Sequence, residues 1–183
     1  LVTTRRSGRL VMTDTNSSTH RPAGWIHRLR ERHRVDHRDG ATLGDVAADD
    51  LTIRPLTGDD DLQAFGRLVR DSYVALPDSP VEPDYELELL DVVARVEQAV
   101  VFGAFDGERP LGCITFVADA SSPYAEDLLD GESSFRMLAV DAAARSRGVG
   151  EALTVRCIDE ARSLGSEAVF IHSGTWMPTA HRL

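Results

Sequence analysis

The sequence predicts an α/β domain built on a mixed, mostly antiparallel sheet with flanking helices. Two patterns carry that prediction. "AVVFGAF" and "LGCITFVA" lie on either side of "DGERP", whose Asp-Gly pair is the turn of an antiparallel hairpin. Further on, "FRMLAV", a stretch of helical period over 148–164 and "EAVFIHS" follow one another as strand, helix and strand, an order that returns the chain as a parallel neighbour. A length of 183 residues, with 42% apolar and 27% charged side chains, suits one soluble core of ordinary size.

Taken in order, residues 1–50 hold nine Arg and four of the six His without any sustained apolar period, and read as a flexible extension. Within it "GWIHRLRERHRVDHR" is favoured as a solvated tail over a short basic helix touching nucleic acid, a membrane surface or a neighbouring subunit. The domain is placed at 51–183. "LTIRPLT" alternates as its first strand, and "GDDDLQAFGRLVRDSYVAL" follows with acids at its start and Leu62, Phe65, Leu68, Val69 and Tyr73 at helical spacing. After the proline-punctuated "PDSPVEPD", the spacing of Leu87, Leu90, Val93 and Val96 predicts a second helix over 85–98. The hairpin comes next, then an acidic loop, "DASSPYAEDLLDGESS", long enough to line a site. In the strand 135–140, alternation puts Arg136, Leu138 and Val140 on one face and Phe135, Met137 and Ala139 on the other. The helix over 148–164 carries Val149, Leu153, Cys157, Ala161 and Leu164 on one stripe, and 167–173 is the strand after it.

Charge narrows the functional classes. Thirty acids face 20 bases, all Arg, and within 51–183 the imbalance is 23 acids against 11 Arg. That argues against the broad basic face of a nucleic-acid binder and favours cationic substrates or partners. Cys113 and Cys157 both sit in apolar patterns, as core thiols in a reducing cytosol rather than a disulfide framework. No stretch approaches the roughly 18 apolar residues of a membrane span, and "RRSGRLVM" is too polar for an export signal. No metal-ligand spacing is present.

The densest motif is "AVDAAARSRGVGEAL", residues 139–153. A strand that turns directly into a helix leaves the first helical amides without backbone partners, at the positive end of the helix dipole. Gly148 and Gly150 remove the Cβ atoms that would hold a phosphate away, while Arg145 and Arg147 supply forked, charged donors. A tight loop with solvated arginines is the plain alternative. A Walker loop would need a Gly-Lys-Ser/Thr ending, and a dinucleotide fold a G-x-G-x-x-G after an N-terminal strand; neither is present.

"FRMLAVDAAARSRGVGEAL" resembles the acetyl-CoA-binding motif of the GCN5-related N-acetyltransferase (GNAT) family, a strand, R/Q-x-x-G-x-G/A and a helix, matched at Arg145, Gly148 and Gly150. The order of elements over 51–183 agrees as well. The resemblance implies two parallel strands that splay apart, with the pantetheine arm pairing with the backbone of Leu138, Ala139 and Val140. The pyrophosphate would rest on the amides of Ser146, Arg147, Gly148, Val149, Gly150 and Glu151, beside the Arg145 and Arg147 side chains. Acetyl transfer to a primary amine by direct attack then follows, which needs a base and an acid but no covalent cysteine. Glu132, before the motif strand, is the first candidate base, and His172, at the end of the next strand, is the second. In the family a tyrosine on a helix after that strand usually protonates the thiolate, and a last hairpin completes the sheet. The expected position of that tyrosine is just beyond Leu183 and the hairpin is missing, which leaves an incomplete sequence, an edge supplied by a second copy in a homodimer, or a truncated relic as readings. The leading function is therefore a cytoplasmic acetyl-CoA-dependent N-acetyltransferase for a cationic small-molecule or protein amine; the alternative is an inactive or truncated acyl-CoA-binding module.

Overall fold

The computed structural model describes residues 2–5, 9–12, 14–15, 51–77, 79, 81–171 and 173–174. Its strands are β1 (Val2–Arg5), β2 (Arg9–Met12), β3 (Asp14–Thr15), β4 (Leu51–Pro55), β5 (Val100–Asp106), β6 (Arg109–Val117), β7 (Glu132–Val140), β8 (Ala168–Ile171) and β9 (Ser173–Gly174). The main sheet runs β2-β1-β8-β7-β6-β5-β4, while β3 and β9 form a separate parallel pair. Within it β7 and β8 are parallel and every other neighbour is antiparallel. The five strands β4 to β8 make up the mixed sheet that the hairpin and the strand-helix-strand order predict. β1 and β2 come from the stretch expected as a flexible extension, where runs of four residues are too short to register as a period. β1 covers the edge of β8 that the sequence had left open, by the pairs Val2↔Ile171 to Arg5↔Ala168, which answers the row of unpaired peptide groups on that edge.

Helices cover both faces of the sheet. α1 (Leu62–Val74) starts where the Asp61 carboxylate accepts from the Ala64 amide at 2.9 Å, and buries Leu62, Phe65, Val69 and Tyr73 as its spacing requires. On the same face lie α2 (Pro83–Leu90) and α3 (Val92–Gln98). One helix was expected there. Asp91, at φ −82° and ψ 69°, ends the first and caps the second by accepting from the Ala94 amide, so the helical phase restarts. Leu89 and Val92 are consequently the fully buried pair, while Leu87 and Val93, whose spacing predicts the single helix, are 66% and 49% exposed.

Across the sheet, α4 (Val149–Ser163) buries Val149, Leu153, Cys157 and Ala161 against Phe102, Leu111, Ile114 and Phe135. Leu164, placed on that stripe by the sequence, is the C-cap residue and points to solvent. Both cysteines are free and buried, and burial pushes the Cys113 thiol up to about 12 and raises that of Cys157 as well.

The strict alternation expected along β7 is broken by a bulge. Cys113 pairs with Ala139 but Thr115 with Arg136, so Met137 and Leu138 together face Ile114. Met137 takes up the slack at φ +55°. Phe135 therefore shares the α4 face with Leu138 and Val140, whereas Met137 and Ala139 pack on the α1 side, toward which Arg136 also turns.

Candidate active site

Two backbone features meet at the C-terminal half of β7. The first is a free edge: the parallel ladder with β8 consists of Glu132↔Ala168, Ser133↔Val169 and Ser134↔Phe170, and stops there. From Phe135 to Val140 the strand pairs with β6 on one side only, among the described residues. On the other side of that segment the peptide groups have no ladder partner among the described residues, the Val140 carbonyl accepting from the Ser72 hydroxyl at 3.3 Å, and they can meet an extended ligand.

The second feature is the turn that follows. Asp141 accepts from the Ala143 amide at 2.9 Å and nucleates a short 3-10 turn over Ala142–Ala144. Arg145 then returns to extended backbone, and Ser146 at φ 61° and Gly148 at φ 76° bracket Arg147 with left-handed conformations that curl the chain into the start of α4. Gly148 occupies the N-cap position and offers no side chain, so no side-chain cap closes the helix. The Ala152 amide donates to the Gly148 carbonyl at 2.9 Å; the amides before it are those that no intrahelical carbonyl reaches. They meet the positive end of a 15-residue helix. Arg145 and Ser146 are exposed beside them, and Arg147 is half-exposed, with Asp106 at 4.0 Å. Such a site can hold an anion of two phosphates through backbone donors, with two guanidinium groups at its rim.

On the α1 side of β7, next to the point where the ladder ends, Arg136 gathers two other elements. Its guanidinium donates to the Tyr124 carbonyl at 3.3 Å and approaches Glu126, on the acidic loop, at 3.3 Å and Glu88, on α2, at 3.9 Å. Burial works against the charge on Arg136, but Glu126, Tyr85 and Glu88 outweigh it and leave its pKa raised. Tyr85 and Tyr73 are packed edge to face in the same neighbourhood, with burial raising both phenols. Beneath them lies Arg95, whose charge burial disfavours.

Residues 62–183 match the model of the Acetyltransferase (GNAT) family. The chain belongs to that family. Among curated proteins no relative matches it. The solved structures it is similar to include a GCN5-related N-acetyltransferase from Ralstonia eutropha JMP134 (20% identity, 72% of this chain and 89% of that one, TM-score 0.54). Others are a transcriptional regulator from Bacillus halodurans C-125 (20% identity, 72% and 87%, TM-score 0.52) and a GCN5-related N-acetyltransferase from Kribbella flavida (29% identity, 66% and 70%, TM-score 0.50).

In this GNAT chain the residues from Arg145 to Glu151 are contiguous and form the one turn described, and Leu138, Ala139 and Val140 lie on the free half of β7 leading into it. Glu132 is at the other end of the same strand, about 23 Å from Val140 by the rise of a strand with one residue taken up in the bulge. Its carboxylate, half-buried, accepts from the Leu129 amide at 3.2 Å. His172 lies outside the described residues. The cluster of Arg136, Glu88, Glu126 and Tyr85 went unforeseen. The acidic runs were visible in the sequence, but the bulge that turns Arg136 toward them was not.

Among the described residues no helix is long and apolar enough to cross a membrane.

Proposed function

We propose that this GNAT chain moves an acetyl group from acetyl-CoA to the primary amine of a cationic acceptor by direct attack. The observation that carries the proposal is the junction of β7 and α4, where a strand edge without a ladder partner among the described residues runs into a helix start that no side chain caps, flanked by Arg145 and Arg147. The pyrophosphate would take the amides from Ser146 to Glu151, and the pantetheine arm the peptide groups of Leu138, Ala139 and Val140.

In the reaction the neutral amine nitrogen attacks the thioester carbonyl, the C–N bond forms, the C–S bond breaks with its electron pair going to CoA as the thiolate, which takes a proton from solvent, and the nitrogen gives up its extra proton. Glu132 is the proposed acceptor of that proton, directly or through water. A covalent cysteine route is disfavoured, because burial keeps both thiols protonated at neutral pH. The same free thiols fit a reducing compartment such as the cytoplasm. A cationic acceptor is supported by the acids of 77–91 and 119–132, which flank the α1 side of β7.

The test is calorimetric binding of acetyl-CoA to the wild type and to the Arg145→Ala/Arg147→Ala variant. The loss should be about 1–3 kcal/mol for the pair, with unfolding unchanged. Equal affinity would overturn the assignment of the turn. Release of free thiol from acetyl-CoA with a panel of amines tests turnover, and tight binding without release from any amine would leave an acyl-CoA-binding module instead.

A further inference from the structure

Arg95 is 1% exposed, the one charged side chain in the core of the described residues. A buried guanidinium is costly unless its donors are met and negative charge is close. Two of its contacts meet that need in an ordinary way. One terminal nitrogen donates to the Glu88 carbonyl at 2.6 Å and the other to the Leu89 carbonyl at 3.1 Å, both in the last turn of α2, where the helix dipole is negative. The third contact is not ordinary. The nitrogen that serves Glu88 also donates to the Met137 sulfur at 3.1 Å, while Nε is left without a partner. A thioether is a weak acceptor, and a leucine would fill the same space.

Met137 is also the bulge residue, held at φ +55° in a conformation that long side chains rarely adopt. The left-handed backbone and the buried cation thus converge on one residue. Were Met137 to relax to extended backbone, the extra residue of the bulge would have to move, and the following residues would shift register and exchange faces.

We propose that Arg95 is a positioning residue: by clamping the Met137 thioether it holds the β7 bulge in place, and so fixes how Leu138, Ala139 and Val140 present their backbone to the acyl arm of the cosubstrate. This rests on the proposal that acetyl-CoA lies along that edge. The contacts to Glu88 and Leu89 fasten the end of α2 to the same point, so the helix bordering the acceptor side is set by the same side chain.

The experiment compares two ligands in calorimetry, acetyl-CoA and adenosine 3′-phosphate 5′-diphosphate, the part of CoA that reaches the turn but has no arm. The proteins are the wild type, Arg95→Gln, Met137→Leu and the double variant. Each single substitution should weaken acetyl-CoA about threefold to tenfold, the range for loss of one ordinary hydrogen bond, and leave the armless fragment unchanged. The double variant should be no weaker than the weaker single, since both remove one clamp. Met137→Leu conserves volume and folds even where Arg95→Gln does not. Unchanged acetyl-CoA affinity in Met137→Leu would overturn the clamp while the CoA assignment stands. Equal losses for both ligands would overturn it too, as a general loosening. A wild type that binds neither ligand would overturn the CoA assignment and the clamp with it.

Discussion

Gly150 is the residue where stability and binding should part company. Gly148, at φ 76°, has a conformational reason to be glycine, but Gly150 is inside α4 and is not among the glycines of positive φ. There a glycine is a cost to the helix, about 0.8–1.0 kcal/mol against alanine in an interior and less near the end. Gly150→Ala should therefore stabilise the protein by about 0.5 kcal/mol, or roughly 2 °C in Tm for a domain of this size. On the proposed reading the added methyl stands between the first-turn amides and the phosphates. Moving the anion out by even a fraction of an ångström weakens several charge-assisted bonds at once, so acetyl-CoA affinity should fall by at least about 1.4 kcal/mol, a factor of ten. Urea unfolding reads the first quantity and calorimetry the second. A stabilised variant with unchanged affinity would refute the reading of the turn. A destabilised one would show that Gly150 is required by packing within the protein, and the argument from a phosphate would fail on that ground.

Three further outcomes follow from the geometry. The Arg54 guanidinium, with Thr57 helping, holds Asp60 down to about 2, below its unfolded value. The pair's stabilisation is thus complete above about pH 4 and lost as pH falls through 2. Arg54 is 45% exposed and solvent screens the pair, so Asp60→Asn should cost about 1 kcal/mol at neutral pH. The gap to the wild type should close on acidification in urea titrations, and a gap that stays constant from pH 7 to 2 would contradict the assignment. Leu153, fully buried under the start of α4, should cost about 3–5 kcal/mol as Leu153→Ala; a loss under 1 kcal/mol would mean that α4 is not docked as described. Glu132→Gln keeps an acceptor for the Leu129 amide but removes the proposed base, and should lower kcat by about a hundredfold or more with Tm unchanged. An unaltered kcat would reduce Glu132 to a loop-closing residue.

The parts of this fold that were legible in the sequence are those fixed by local chemistry. The Asp-Gly turn specifies its hairpin, Asp61 specifies the start of α1, and the glycines after β7 specify a turn that opens α4 without a side-chain cap. What could not be read depends on a change of phase within an apolar run. Asp91 interrupts one predicted helix with a single residue that serves two helices, and the core passes from Leu87 and Val93 to Leu89 and Val92. Met137 does the same to a strand, and nothing in "FRMLAV" marks which residue is doubled, because a bulge is decided by the pairing with β6 rather than by the strand's own composition. Burial of Arg95 follows from both shifts, since its partners are the end of α2 and the bulge itself.

The same bulge alters what the acidic sequence means for the acceptor. Counted along the chain, the segments 77–91 and 119–132 are a run of acids with no base. In space Arg136 enters between them, and its contacts to Glu126 at 3.3 Å and Glu88 at 3.9 Å neutralise part of that charge beside β7. These are loose pairs, with side chains 51% and 42% exposed on the acidic partners, so solvent and a second cation can approach both carboxylates without displacing Arg136. On the proposed reading, preference for a cationic amine therefore arises from carboxylates that Arg136 holds in place beside the site, rather than from the overall acidity of the chain, which long-range screening by salt would blunt.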